Sequence, residues 1–240
     1  MAEYQENPAA ASMLITLANR AQWKDRRHGP PHVTDLTGCL RKAWYRRNGQ
    51  PFPPLTEQDH ATLLAGQAHH AILQGASIDG METEVHAQDD SIPVQGSIDL
   101  MIPWEGEIVP GEIKTTRASS KHDLDHWPHY VEQLASYMVL KQATTGLLFV
   151  LHTMGDWSGP KAAKFLAWTL RISQSESAAW VRELSRRSRE VVQPSPPDIE
   201  EHATWECSYC PFHEAKGGPC EGGPGRFAGF FPLDKLEEWD

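Results

Sequence analysis

The sequence predicts a mixed α/β fold in which helices flank a central mixed sheet. Three observations predict it. Apolar residues recur at helical spacing near both ends of the chain. Between these segments the pattern changes to short strand-like runs that are separated by turns. One of these runs, residues 147–151, is apolar throughout, as in a strand that is buried on both faces of a sheet.

The elements follow one another without a regular alternation of strand and helix. Helices are predicted over residues 8–27, 41–47, 57–74, 123–142 and 175–192. Strands are predicted over residues 81–87, 94–102, 107–115, 147–153 and 165–172. Thr34 or Thr37 is the expected cap of the second helix, since a threonine hydroxyl accepts a bond from a free N–H at a helix start. Residues 103–106 are expected to form a hairpin turn.

Two of the helices are amphipathic, which indicates how each is oriented. The apolar residues that share one side of the helix 57–74 are Leu63, Leu64, Ala68, Ala71 and Ile72. The inward side of the helix 175–192 is expected to consist of Ala178, Val181, Leu184, Val191 and Val192. Its outward side is expected to consist of Arg182, Arg186, Arg187 and Arg189.

The chain has 240 residues and a formal net charge of −10. This length is enough for one substantial core with a small appendage. We expect an N-terminal helical segment over residues 1–56, a core over 57–192 and a cysteine-rich C-terminal segment over 193–240. A membrane span needs about 20 apolar residues, and no such run is present. No secretory signal is visible, so a cytoplasmic protein is expected.

Asp99, Glu112 and Lys114 are the first candidates for chemistry. Side chains alternate along a strand, so Glu112 and Lys114 share one face. The hairpin turn places Asp99 opposite or beside Glu112, and Pro110 with Gly111 suggests a bulge that re-aims the following side chains. Neighbouring carboxylates repel unless a cation lies between them, and Mg²⁺ or Mn²⁺ suits oxygen ligands. The alternative is a hairpin with a solvated polar face.

Further polar residues precede and follow this hairpin. His70, near the end of a helix before the strands, is a candidate nitrogen ligand for the same metal, and His69 is its rival. Gln133 and Tyr137 are four residues apart and share one helix face. Each of these residues also has an ordinary interpretation, as a histidine without a role, a packed tyrosine or a solvated glutamine.

Taken together, the motifs have an order that resembles a known family. The elements are Gly66-x3-His70, Gly96-x2-Asp99, Gly111-Glu112-x-Lys114-Thr115 and Gln133-x3-Tyr137. In this order they resemble the RecB-type branch of the PD-(D/E)XK nuclease superfamily, which has a restriction-endonuclease-like core. The segment from Thr34 to Tyr45 also looks like the start of its iron–sulfur members, among them the CRISPR-associated Cas-four-type exonucleases. The resemblance runs from Thr34 to Cys220.

The resemblance implies roles for the individual residues. It implies that the metal ligands are His70, Asp99, Glu112 and the carbonyl of Ile113. It implies that Lys114 positions or activates the attacking water, and that Gln133 and Tyr137 support the site or the DNA strand. Such a metal stabilises the charge of phosphodiester hydrolysis and lowers the pKa of water. The spacing from Gly66 favours His70 over His69.

The cysteines are placed as one early residue and a late cluster. They are Cys39, Cys207, Cys210 and Cys220. Without an export signal, such clustering favours a metal site over disulfides. The resemblance implies a 4Fe–4S cluster, which four thiolates suit. Structural Zn²⁺ is the alternative, with His202 or His213 as substitute ligands.

The negative net charge conceals strong segregation. Residues 20–47 carry eight Lys or Arg against two acids, whereas residues 79–112 carry nine acids and no Lys or Arg. A basic footprint is typical of nucleic-acid binding. The expected phosphate contacts are Arg41, Lys42, Arg46, Arg47 and Arg186. Trp44, Tyr45 and Trp127 are candidates for stacking on unpaired bases, with packing in the core as the alternative.

These patterns together predict a metal-dependent DNA exonuclease that prefers single-stranded ends. The chain has no phosphate-binding loop for ATP, so a helicase partner would be a separate chain. The resemblance implies a role in CRISPR adaptation, beside an integrase, or in recombination and repair. A phage-encoded protein is among the alternatives. The alternatives are a non-catalytic DNA-binding subunit with the same fold and a zinc-stabilised nuclease without iron.

Overall fold

The computed structural model describes most of the chain beyond residue 28. The described residues are 29–51, 56–75, 78–121, 127–156, 162–198, 204–223, 230–231 and 236–238. The helix predicted over residues 8–27 and the alternative zinc ligand His202 lie outside them.

The secondary structure follows the predicted order and adds short elements. The helices are α1 (Val33–Leu36), α2 (Leu40–Arg47), α3 (Glu57–Gln74), α4 (Pro128–Leu140), α5 (Gln174–Val191) and α6 (Thr204–Tyr209), with a 3₁₀ turn over Glu214–Lys216. The strands are β1 (Glu82–Asp89), β2 (Ile92–Trp104), β3 (Glu107–Thr116), β4 (Thr145–His152), β5 (Lys164–Arg171) and β6 (Leu236–Glu238). Among the described residues, no helix has the length and apolar character that crossing a membrane requires.

The strands form one mixed sheet in the order β1-β2-β3-β4-β5-β6. All neighbours are antiparallel except β3 and β4, which are parallel. A parallel pair needs a crossover, and α4 supplies it between β3 and β4. The apolar strand β4 lies inside the sheet between β3 and β5, as predicted. The predicted mixed α/β architecture is confirmed, and β6 is an additional strand.

The pairing of β2 with β3 in a hairpin determines which residues of the two strands lie opposite each other. Its ladder runs from Leu100 opposite Gly111 to Trp104 opposite Glu107. The two-residue loop has φ of 50° at Glu105 and 87° at Gly106, both in the left-handed region, which suits the twist of a hairpin. The bulge predicted at Pro110 and Gly111 is wrong, because the register is continuous there. Pairing with β4 begins only at Gly111, so Pro110 lies where β3 has a single neighbour and its missing N–H is tolerated.

Three of the described α-helices, α1, α3 and α5, begin at side-chain caps. Thr56 and Ser173 cap α3 and α5, each in a reciprocal arrangement with an acid three residues later. The predicted cap of α2 is wrong: Thr34 lies inside α1, Thr37 follows the end of α1, and Cys39 is the N-cap of α2. The short helix α1 therefore takes the place of the predicted capping turn.

Helix α4 lies in the centre of the core. All of its residues from Val131 to Leu140 are buried, including Glu132, Gln133 and Ser136. Residues of α1, α2, the sheet and α5 pack into the same core as α4, together with Phe231. The predicted N-terminal segment and core thus share one hydrophobic interior. Because burial without partners costs free energy, the polar residues of α4 need specific hydrogen bonds.

The apolar side predicted for α3 does not face the core, whereas the orientation predicted for α5 is confirmed at Leu184 and Val191 and wrong at three positions. The apolar side of α3 is not buried, since Leu63, Leu64 and Ile72 are 44%, 46% and 70% exposed. Helix α3 instead turns its polar side to the sheet, where Gln74 donates to Glu84. In α5, Ala178 and Val192 are exposed, whereas Arg187 is buried.

Arg187 is buried because α4 supplies its partner. Its guanidinium donates to Glu132 at 2.7 Å and to the carbonyl of Leu36 at 2.8 Å. It also lies 5.0 Å from the centre of the Trp180 ring, in a cation–π contact. The other oxygen of Glu132 accepts a bond from the Phe230 N–H at 2.8 Å. This buried pair links α1, α4, α5 and the C-terminal segment.

Arg187→Ala should destabilise the protein by about 3–5 kcal/mol, because Glu132 would remain buried without its charged partner. The matched control is Arg186→Ala on the same helix, whose partners Glu183 and Glu190 are nearer the surface. The control should cost about 1 kcal/mol or less. Urea unfolding measures both. An equal loss of unfolding free energy in the two variants would show that the buried pair stabilises the protein no more than the surface pair does.

Candidate active site

The β2–β3 hairpin brings two carboxylates together. The observed register, continued by one residue, places Asp99 opposite Glu112, as predicted. The Ile113 N–H donates to Asp99 Oδ2 at 2.9 Å, which fixes this carboxylate against β3. Glu112 is 1% exposed, and its Oε2 is buried without a hydrogen-bond partner in the described part of the chain. A buried carboxylate oxygen without a donor is an available ligand for a cation.

Lys114 lies on the same face of β3 as Glu112. Its Nζ is 2.6 Å from Glu112 Oε1, so the alternation predicted from the sequence is confirmed. Burial raises the pKa of Glu112 to about 7; nearby Asp99 also raises it, and Lys114 opposes the rise. Burial alone would lower the pKa of Lys114, but the Glu112 carboxylate holds it above its usual value. The ammonium therefore stays charged inside the protein.

Gln133 connects the strand residues to α4. Lys114 Nζ donates to its Oε1 at 2.8 Å, and its Nε2 donates to Glu112 Oε1 at 2.7 Å. The same Nε2 lies 3.1 Å from the Tyr137 hydroxyl, as expected for residues four apart on a helix. Gly96 makes room for Tyr137, because a Cβ there would approach the Tyr137 ring within 2.6 Å. Gln133 thus orients the lysine and the carboxylate at once.

His70 is the histidine that contacts this cluster. Its Nδ1 lies 3.6 Å from Asp99 Oδ2. The interaction with Asp99 raises the pKa of His70, and burial opposes that rise. The Nδ1 of the rival His69 is buried without a hydrogen-bond partner among the described residues. Gln74, one turn further along α3, donates to the Asp99 carbonyl at 3.5 Å. These contacts explain why α3 presents its polar side to the sheet.

The residues of the cluster fit a divalent metal by their chemistry. Two carboxylates and an imidazole are suitable ligands for Mg²⁺ or Mn²⁺, and the unpaired Glu112 oxygen provides a free donor atom. Within the described residues, however, no three His, Cys, Asp or Glu side chains are already arranged to hold an ion. Asp99 is bonded to Ile113 and Glu112 to Lys114, so ion binding would require these side chains to shift.

Two further residues beside the cluster were not predicted. The Lys114 ammonium lies 5.3 Å from the centre of the Tyr130 ring. His129 contacts the same ring, with centroids 4.4 Å apart. Burial and the nearby Lys114 charge lower the pKa of His129 to about 4, so its imidazole is neutral at pH 7. Helical spacing could have identified Tyr130, which lies three residues before Gln133 on one face of α4.

The predicted base-stacking aromatics are mostly inside the protein. Tyr45 and Trp127 are 7% and 8% exposed. The prediction that these two rings stack on DNA bases is therefore wrong, and they pack inside the protein instead. Trp44 is half-buried and donates from its indole N–H to the Gln193 carbonyl at 2.7 Å. The described aromatic residue that is most exposed is Tyr209, at the end of α6.

The four cysteines line one small cavity, although they are far apart in the sequence. Its volume is about 290 Å³, including space open to solvent, and His213 lines it as well. All four cysteines are free thiols. Burial raises the pKa values of Cys39 and Cys210, so their thiols stay protonated unless a cation binds. The thiols share this cavity without being arranged as a ready metal site.

The predicted phosphate contacts all have partners within the protein. Three of them pair with acidic side chains: Lys42 with Glu206, Arg46 with Asp35, and Arg186 with Glu183 and Glu190. The other two donate to backbone carbonyls, Arg41 to that of Pro197 and Arg47 to that of Gly29. A DNA phosphate at any of these positions would compete with those partners. Their role in DNA binding stays a prediction.

An open cleft lies beside Lys114 and Gln133 and shares residues with the cysteine cavity. Its volume is about 790 Å³, including space open to solvent. Lys114 and Gln133 line one part, and Lys42, Glu206 and Cys210 line another. Lys42, Glu206 and Cys210 also line the cysteine cavity, so the two features share a wall. A substrate in this cleft would therefore lie between the two predicted metal sites.

One hairpin of the mixed sheet carries two carboxylates and a lysine. This combination of fold and site is that of a nuclease core. A family model described as the PD-(D/E)XK nuclease superfamily matches residues 28–215. The chain therefore belongs to the PD-(D/E)XK nuclease superfamily. Membership implies a metal-dependent nuclease that acts on DNA with a divalent ion.

The fold is also similar to that of a solved structure. The crystal structure of SSO0001 shares 23% sequence identity with this chain and superposes with a TM-score of 0.54. The match covers 85% of this chain and 94% of SSO0001. At this identity the likeness concerns the fold alone. No curated protein matches the chain.

Proposed function

We propose that the protein is a DNA exonuclease that acts on single-stranded ends. The observation that carries this proposal is the cluster of Asp99, Glu112 and Lys114. Gln133 bonds both Glu112 and Lys114, and Gln133 and Lys114 line an open cleft. In this proposal Lys114 orients the attacking water and stabilises negative charge that develops on the phosphate. Gln133 and Tyr137 keep Lys114 and Glu112 in position.

A Mg²⁺ or Mn²⁺ ion would be held by His70, Asp99, Glu112 and the Ile113 carbonyl. When bound, the ion lowers the pKa of water and stabilises the charge of phosphodiester hydrolysis. The unpaired Glu112 oxygen and the contact of His70 with Asp99 support this ligand set. The Ile113 N–H bond to Asp99 holds one carboxylate in place.

We also propose that Cys39, Cys207, Cys210 and Cys220 hold a 4Fe–4S cluster. Their common cavity and their free thiols support a shared metal group. The alternative is structural Zn²⁺, which His213 favours because it lines the same cavity and imidazole is a good zinc ligand. Either group would join the segment around residue 39 to the C-terminal segment. It would thereby link the first and the last of the three proposed parts of the chain, 1–56, 57–192 and 193–240.

The wider setting of this activity is part of the same proposal. A cytoplasmic role in CRISPR adaptation or in recombination and repair fits an end-trimming nuclease, and a phage-encoded nuclease is one form of this proposal. A helicase or an integrase is the proposed protein partner.

The second candidate is a DNA-binding subunit that retains the fold without activity. The complete cluster speaks against it, because a buried lysine and two neighbouring carboxylates cost free energy that an apolar core would avoid. A subunit without catalysis has no need of this cost.

The test is cleavage of an end-labelled single-stranded oligonucleotide by the purified protein. We expect stepwise shortening with Mg²⁺ or Mn²⁺ and none with a chelator. Circular single-stranded DNA and a blunt duplex serve as matched controls, and both should be cleaved more slowly. Binding without cleavage under every metal condition would favour the non-catalytic subunit.

A further inference from the structure

We propose that Tyr209 is a stacking platform for one unpaired nucleobase of the substrate, in the cleft that also contains Lys114. This inference rests on the proposed function and deepens it. It assigns a nucleobase-binding subsite to the wall that the cleft shares with the cysteine cavity.

The first observation is the exposure of this side chain. Tyr209 is 75% exposed, although most of the other residues that line the cleft are partly or fully buried. Among the described residues, none forms a hydrogen bond or a ring contact with Tyr209. Its ring therefore does not stabilise the fold through such contacts, and an aromatic ring in this position is available to a ligand.

The second observation is the place of Tyr209 within the cleft. Tyr209 ends α6, whose residue Glu206 turns inward to Lys42 and to the Cys39 N–H. Tyr209 lines the same cleft as Lys114 and Gln133. Without the space that is open to solvent, the cleft volume is about 340 Å³, which lies at the lower end of the range of small-molecule sites. A strand whose phosphate lies at Lys114 can therefore place a base against this wall.

The third observation is the charge of this wall. Lys42 pairs with Glu206, so the two charges largely cancel where they line the cleft. Burial would raise the pKa of Glu206, but Lys42 and the Cys39 N–H hold it below its usual value, so the carboxylate stays ionised. A wall with a cancelled charge and an exposed ring suits a flat, uncharged group better than a phosphate. Nucleobases are such groups, and they stack on aromatic side chains irrespective of sequence.

Stacking of this kind selects unpaired strands. In a duplex the faces of each base are already covered by its neighbours, so only an unpaired or splayed base can lie on Tyr209. Tyr209 thereby gives a physical reason for a preference for single-stranded ends, which the carboxylate cluster alone does not provide.

The test compares Tyr209→Ala, Tyr209→Phe and Phe165→Ala in binding a fluorescein-labelled oligothymidylate, measured by anisotropy in the presence of a chelator. Tyr209→Ala should bind it about 5- to 150-fold more weakly, the range expected for one lost base–aromatic stack. Tyr209→Phe keeps the ring and should bind like the wild type. Phe165, 62% exposed on β5, is an exposed aromatic residue outside the cleft lining, and its removal should change nothing.

The outcomes separate this inference from the proposed function. Unchanged binding in Tyr209→Ala, or equal weakening in Tyr209→Phe or Phe165→Ala, overturns the stacking site, even if the wild type cleaves DNA. Weakening confined to Tyr209→Ala supports the site, even if the protein proves to be a non-catalytic subunit. A wild type that does not bind the oligonucleotide overturns both.

Discussion

Lys114→Ala is expected to reduce DNA cleavage by about 10²- to 10³-fold, the usual effect of removing one donor that stabilises developing negative charge. The side chain stands at the centre of the site: its Nζ contacts Glu112, Gln133 and the face of the Tyr130 ring. Its loss removes the positive charge that would orient water and stabilise the phosphate. Rates of cleavage of an end-labelled strand at saturating Mg²⁺ measure the effect.

Lys121→Ala is the control for this substitution. Lys121 pairs with Asp156 on the surface, and its side chain is 64% exposed. Removing it changes the net charge by the same amount without touching the site, so cleavage should stay at the wild-type rate. Circular dichroism checks that both variants fold. A Lys114→Ala protein with wild-type activity would contradict the proposed role of this lysine.

Cys210→Ser is expected to release the bound metal group and to destabilise the fold by about 5 kcal/mol, by analogy with cross-links that close long loops. Cys39 and Cys207 are separated by most of the chain, yet they line one cavity. A metal there would tie the N-terminal segment to the C-terminal one. Thermal unfolding with iron, sulfide and zinc analysis measures both effects.

Tyr209→Phe is the control for the cysteine substitution, because it changes the adjacent residue and leaves all four thiols in place. Iron and sulfide in the wild type would identify a cluster, and zinc alone would identify the structural alternative. A wild type that contains neither metal after anaerobic purification, with unfolding unchanged in Cys210→Ser, would contradict the proposal of a metal at the cysteines.

The part of the site that could be predicted from the sequence depends on short-range geometry. Strand alternation placed Glu112 and Lys114 on one face, and the two-residue loop at Glu105 and Gly106 fixed the register that sets Asp99 opposite Glu112. Helical spacing placed Gln133 beside Tyr137. These relations need only the regular repeat of a strand or a helix. The fold class follows from the same repeats.

The features that were missed depend on contacts between distant segments. The pattern of α5 places Arg187 among solvent-facing arginines, but Glu132 on α4 and the Leu36 carbonyl draw it inside. The apolar side of α3 faces outward, because Asp99 and Glu84 bind polar residues on its other side. The exposure of Tyr209 likewise depends on how α6 meets α2 through Glu206 and Lys42. No local periodicity encodes such partners.

The most direct test of the central claim is Mn²⁺ binding to the carboxylate cluster, measured by electron paramagnetic resonance in the wild type, Asp99→Ala and Asp90→Ala. Hard Mn²⁺ prefers the oxygen ligands of this site to the thiols of the cysteine cavity. Asp90 is an exposed acid at the β1–β2 turn and serves as the control. We predict that the wild type and Asp90→Ala bind Mn²⁺ alike and that Asp99→Ala binds it at least about 10-fold more weakly. Equal Mn²⁺ affinity in all three proteins would contradict the assignment of the metal to Asp99 and Glu112.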